Sequence, residues 1–283
     1  MTVAVAVAVG LLIGLLLGTL GGGGSILTVP ALVYLLGQSA QEATTTSLVI
    51  VGLTATVAAA GHARSSNTRW RTGILLAAAG LPASVLGTVL NRRVDGDVVL
   101  LAFSALMLLA AAGMLARAPQ PRPAPPKARD QPVDQARDGR GATVTATRTR
   151  PGQRTGKRQR TWLRVLLSGL LIGALTGFFG VGGGFIIVPV LVVALGFPMP
   201  HAVGTSLVVI ALNSAVALTA RSTGGLELDP VVVVPFTAAA IAASLLGKRV
   251  ADRLSGVALT RAFGGLLVLV AGYVAVRAVL GIT

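Results

Sequence analysis

Apolar and polar positions alternate along this chain in long blocks. About eight apolar runs approach bilayer length: Val3 to Leu36, Ala43 to Gly61, Gly73 to Leu90, Val98 to Ala116, Leu163 to Leu195, Ala202 to Ala220, Val231 to Gly247 and Val257 to Leu280. The pattern predicts an all-α, polytopic integral membrane protein. The first and fifth runs are about 34 residues each, or ~50 Å as continuous helix, which exceeds a hydrocarbon layer of ~30 Å. Both are interrupted by glycine, at Gly21 to Gly24 and at Gly182 to Gly184. Glycine has no Cβ and loses the most entropy in a helix, so both runs are predicted to break there.

The two broken runs are copies. Gly14 to Val51 laid on Gly173 to Ile210, an offset of about 159, gives about 17 identities in about 38 pairs without a gap. The chain is therefore a duplicated unit, with membrane repeats expected at 1–116 and 162–283 and a linker at 117–161. In each copy a short apolar stretch with a proline (Pro30, Pro189) follows the glycines, and then a Thr-Ser pair opens the next run.

Composition sharpens this picture. The chain is 53% apolar and 12% charged, where soluble domains carry roughly a quarter charged residues. It has no cysteine, which removes disulfides and thiolate metal sites together. His62 and His201 are the two histidines, too few for a histidine metal site to be expected. The first residues lack the basic region of a signal peptide and read as a retained membrane segment. The net charge of +15 does not point to nucleic acid. Arg117 to Thr161 carries roughly half of the chain's Lys and Arg against Asp130, Asp134 and Asp138, and basic loops stay in the cytoplasm. Rich in Pro, Arg, Gln and Thr, this linker is expected to be a disordered cytoplasmic tether, or else a polybasic patch for anionic lipid.

Loop charge also bears on topology. The loop at Gly61 to Arg71 is basic and Asn91 to Asp97 is balanced; in the second unit Arg221 to Pro230 is acidic and Lys248 to Arg253 is basic. This reversal favours inverted repeats, in which each broken run enters and returns as a hairpin beside three plain crossings. Ser25 to Leu36 is about 12 residues or ~18 Å, short enough for such a return. Four kinked crossings per unit, in parallel, is the competing arrangement.

Backbone interrupted inside a bilayer must be buried in protein or face a watery cavity, because lipid offers no hydrogen bonds. The helix starts expected at Ser25 and about Gly184 would present free N–H groups and a partial positive charge, which suits an anion. The candidate solute site is Gly22, Gly23, Gly24 and Ser25 with Gly182, Gly183 and Gly184. Thr46, Ser47, Thr205 and Ser206 add hydroxyls that either donate to an oxyanion or bond back one turn along their own helix. Asn213 lines the path or joins helices. The alternative role for the glycines is close helix packing. Glu42 and His201, each one turn before its Thr-Ser pair, are candidates for ion coupling, or solvated residues at helix starts. No nucleophile elbow, phosphate-binding GxxxxGK[ST] loop or pair of carboxylates within a run is present, so neither an enzyme nor a cofactor is expected.

The glycine segments with their prolines, followed by Ala43, Thr46 and Ser47 in one copy and Ala202, Gly204, Thr205 and Ser206 in the other, resemble the sulfite exporter TauE/SafE family of membrane transporters. The resemblance covers both units and omits the linker. The first copy departs from the second at Ser25, which stands for Gly184, and at Thr45, which stands for Gly204. It implies movement of small sulfur oxyanions such as sulfite or organosulfonates without ATP hydrolysis on the same chain, with a small anion and the bilayer of a bacterial plasma membrane as partners. Another solute, a metal cation or a non-transporting scaffold role are the rival readings.

Overall fold

The computed structural model of the chain describes residues 2–65, 68–91, 93–94, 96–116, 154–179, 184–222 and 228–280. The described residues form ten helices. The first half holds α1 (Thr2–Leu20), α2 (Gly23–Tyr34), α3 (Ala40–Arg64), α4 (Trp70–Asn91) and α5 (Gly96–Ala116). The second holds α6 (Arg154–Phe179), α7 (Gly184–Val193), α8 (Met199–Ser222), α9 (Pro230–Arg253) and α10 (Gly256–Leu280). Among the described residues, 7 helices are long and apolar enough to cross a membrane. The protein is an all-helical, multi-pass membrane protein.

Helix ends follow local chemistry. Ser39 caps α3 reciprocally: its Oγ accepts from the Glu42 amide at 3.3 Å and the Glu42 carboxylate accepts from the Ser39 amide at 3.0 Å, which satisfies two amides that the helix leaves open. Asp229 caps α9 by accepting from the Val231 amide at 2.9 Å, with Pro230 in the first position, where its missing N–H costs nothing. The short helices α2 and α7 close alike, on Gly37 (φ 69°) and Gly196 (φ 67°). The following amides then reach back, Gln38 N to Leu32 O at 3.1 Å and Phe197 N to Leu191 O at 3.0 Å, the bond pattern of a helix ended by a left-handed glycine.

Two expectations need correction. The break in the first run is narrower than four glycines: α1 ends at Leu20 and α2 begins at Gly23, not at Ser25. Only Gly21, at φ 72°, uses the backbone freedom that glycine supplies, and Gly23 and Gly24 are helical because packing overrides their weak propensity. The earlier start puts Pro30 inside α2, beyond its first turn, as Pro189 lies inside α7. Finally, α6 begins at Arg154, so its backbone continues the membrane helix into what the sequence assigned to the linker. The stretch after Pro151 has no proline and is rich in Arg, Lys and Gln, all good helix formers. The rest of the linker, 117–153, lies outside the described residues.

The helices pair across the halves. α1 lies along α9, α6 along α4, α3 on α8 and α5 on α10. By the repeat offset, the first two seams are the same contact made twice. Gly10, Gly14 and Gly18 on α1 face Phe236, Ala240 and Ser244 on α9, while Gly169, Gly173 and Gly177 on α6 face Leu76, Gly80 and Ser84 on α4. Glycine every fourth residue lets two backbones touch. This matters in a bilayer, where apolar burial gives helices no net drive to associate and packing must supply it. Residue numbers rise together along both seams, so the paired helices run parallel.

A cluster of Ala6, Ile13, Ala43, Ile50, Phe236 and Ala240 joins the early halves of α1, α3 and α9, and Leu32 from late in α2 sits in it. Toward the other ends of α1 and α3, His62 meets Gly18. Hence α1, α3 and α9 share a direction and α2 runs back between them. On the far side Phe103 of α5 packs edge-on to Phe185 of α7, ring centroids 5.1 Å apart, a geometry that favours aromatic pairs.

Candidate functional site

The helix starts that follow the two glycine breaks meet. Gly22 lies against the Gly184 carbonyl, Gly184 against the Ser25 side chain, and Gly21 within reach of Ser206 and Val203 of α8. Gly22, Gly23, Gly24 and Gly184 are all buried and Ser25 is half-buried. Thus the first turn of α2 abuts the first turn of α7, and the loop-side turn of α8 closes over them. Gly182 and Gly183 lie outside the described residues. The early amides of each short helix have no carbonyl four residues back within that helix, and the two positive ends converge.

The hydroxyls divide into two groups. Ser25 Oγ donates to Gly22 O at 2.7 Å, Ser47 Oγ to Thr44 O at 3.0 Å and Ser206 Oγ to Val203 O at 2.8 Å. These serines bond back within their own turns and keep only lone pairs to offer, which an anion does not seek. The threonines differ. Thr205 Oγ1 accepts from the Arg69 amide at 3.2 Å, which leaves its own hydrogen unassigned, and Thr46 Oγ1 is buried without a partner among the described residues. Thr46 and Thr205 occupy matching positions in the two copies.

Arg69 is a site neighbour that sequence reasoning missed. It belongs to the basic loop between α3 and α4, yet its backbone reaches Thr205 of α8 and its guanidinium sits 5.0 Å over the Phe197 ring. One loop of the first half is thereby tied by a cation–π contact to the α7–α8 turn of the second. No spacing rule predicts that pairing, since the partners are far apart in sequence.

The remaining candidates lie elsewhere. Asn213 is half-buried and lines a cavity of about 380 Å³ with Ser84, Thr176 and Ser214, between the α4–α6 seam and α3 and α8. Glu42 is exposed and its carboxylate belongs to the Ser39 cap. His201 is half-buried on the first turn of α8, with Nδ1 buried and without a partner among the described residues.

The profile of the family described as Sulfite exporter TauE/SafE matches residues 6–274. A "Probable membrane transporter protein" of Xylella fastidiosa strain Temecula1 is 32% identical over 264 residues, covering 90% of this chain and 88% of the relative. Its counterpart in Xylella fastidiosa strain 9a5c is 30% identical over 262 residues, with 90% and 88% covered. The "Probable membrane transporter protein YunE" of Bacillus subtilis strain 168 is 23% identical over 202 residues, with 69% of each chain covered. No solved structure matches the chain. With membrane-crossing helices, a duplicated glycine-broken unit and a family profile that spans almost its whole length, this chain belongs to the TauE/SafE family of membrane transporters.

Proposed function

We propose that the protein is a secondary transporter of small anions, sulfite or organosulfonates, and that the anion rests where the first turns of α2 and α7 converge. The observation that carries this reading is the contact of Gly22 with the Gly184 carbonyl, beneath α8. It brings two helix N-termini together inside the protein, where partial positive charge is least screened. The first turns of both short helices thus lie together, and Thr46 and Thr205 are the hydroxyls of the Thr-Ser pairs that donate to no acceptor among the described residues.

The same reading takes the two repeats as inverted. α1 runs with α3 and α4 with α6, and the reading has α3 and α4 opposed across the short loop that joins them. On that chain of contacts α6 opposes α1, its counterpart in the other copy. Inverted units with a solute at their interface suit alternating access, in which two bodies rock against each other around the bound ligand. The crossed seams, α1 on α9 and α6 on α4, then make each moving body a mixture of both repeats.

Flux into proteoliposomes tests the cargo. With sulfite, sulfate, thiosulfate, taurine and sulfoacetate offered in turn, sulfite or a sulfonate is expected to enter about tenfold or more faster than into protein-free vesicles, a margin set by one favourable contact of ~1.4 kcal/mol in the transition state. Rates equal to protein-free vesicles for every anion would remove the anion reading and leave the family assignment standing.

A further inference from the structure

One buried histidine sits against α1 just before the first glycine turn. His62, in the last turns of α3, is 2% exposed. Its Nε2 lies 3.1 Å from the Gly18 carbonyl of α1. A carbonyl only accepts, so Nε2 carries the hydrogen. The other ring nitrogen, Nδ1, is buried and has no hydrogen-bond partner among the described residues. Beside the ring, Gly61 leaves room for the Lys248 stem, which a Cβ there would meet at 3.2 Å, and Lys248 pairs with Asp252 one turn along α9.

We propose that His62 is a proton-binding site that couples a proton gradient to movement of the anion, an inference that rests on the transport reading above. The chemistry follows from the unpartnered nitrogen. A proton taken up at Nδ1 becomes a donor with no acceptor in place and adds a positive charge beside Lys248. Two responses relieve it: Asp252 turns from Lys248 to the ring, or the ring and the α1 backbone it holds move apart. Gly18 lies one turn before Gly21, where α1 ends and the first glycine turn begins. A proton on His62 therefore bears on the helix end that shapes the anion site.

The charges around the ring are few. α1 carries no ionisable side chain, α2 carries only Tyr34 at its far end, and the described side chains of α8 include His201 in its first turn. α9 supplies Lys248, whose stem lies beside Gly61, and its partner Asp252, with Arg249 and Arg253 on the same helix and Arg64 in the last turn of α3 exposed. Intramembrane ionisable residues are costly to keep, and in carriers they often move protons. The matching position in the other copy is Arg221, which cannot give up a proton, so the relay is confined to one half.

The full-length protein in proteoliposomes with a trapped pH indicator tests this, with sulfoacetate as probe. Both its acidic groups are ionised near neutral pH, so a proton that moves with it is carried by the protein. In the native chain sulfoacetate uptake is expected to move protons, and an imposed pH gradient to drive its accumulation. In His62→Gln both are expected to fall about tenfold or more, while sulfoacetate self-exchange falls no more than about threefold, because an amide keeps the bond to Gly18 and cannot titrate. Proton movement that survives in His62→Gln, or self-exchange lost together with it, overturns the assignment. If the native chain moves no anion at all, the transport reading fails by itself. The site is then judged by the ¹⁵N imidazole signal of His62 in the same vesicles, where a ring that stays neutral through acid pH overturns it and reversible protonation supports it.

Discussion

Alanine at Gly22 abolishes transport, and alanine at the neighbouring Gly23 does not. A Cβ on Gly22 overlaps the Gly184 carbonyl and comes within 2.9 Å of the Phe185 nitrogen. Both are backbone, and neither can rotate away. α2 and α7 must therefore part, which separates the two helix starts and costs about 1–3 kcal/mol in packing. At Gly23 the closest atom to an added Cβ is Leu266 Cδ2, at 3.0 Å, the free end of a flexible side chain that yields easily. Initial anion uptake, normalised to folded protein, is expected to drop about a hundredfold for Gly22→Ala and less than about threefold for Gly23→Ala, the first being ~2.7 kcal/mol of lost complementarity. Gly184→Ala lies between them, because its Cβ meets the Ser25 side chain, which can turn, as well as Ile210 Cδ1 at 3.1 Å.

The second large effect is on assembly. Leucine at Gly173 prevents α6 from seating on α4, because even a Cβ there overlaps the Gly80 backbone. Flanking glycines on the same face, Gly169 and Gly177, also lie against the backbone of Leu76 and Ser84, so the helix cannot shift along its axis to escape. Overpacking of this kind costs about 3 kcal/mol or more, a large share of the ~5–15 kcal/mol that holds a typical domain together. Gly173→Leu is expected to give little monodisperse protein on size exclusion in detergent. Gly265→Leu should behave like the native chain, since a Cβ at Gly265 meets nothing within 4 Å. Equal yields from both variants would contradict the seam.

Most of the fold was legible as a set of segments and hardly any of it as a set of neighbours. Apolar runs mark where helices lie because lipid leaves the backbone no other choice, and the repeat shows that the second half copies the first. Which helix touches which depends on side-chain shape along whole faces. One signal was nevertheless present: glycine at every fourth position in α1 and again in α6 is the spacing of close helix contact. Ser39 followed by Glu42 is likewise the spacing of a reciprocal cap, and it explains Glu42 as a helix start. The site was legible only in part. The glycines located it, but the reach of Arg69 to Thr205 and of His62 to Gly18 depends on tertiary proximity. The serines' bonds to their own turns were foreseen only as one of two options, because a hydroxyl one turn from a free carbonyl has a competing partner that sequence cannot weigh.

The absence of native cysteine permits a direct test of where the anion sits. Ser25→Cys and Ser206→Cys each place one thiol beside the converging helix starts, and a thiol reagent bearing a sulfonate can be applied to the protein in vesicles. Both thiols are expected to react, and an anion transported by the native chain is expected to slow the reaction about tenfold or more at saturation, as a bound ligand that fills the site must. A thiol that reacts at the same rate with and without every transported anion would contradict the placement of the solute beside the converging starts of α2 and α7.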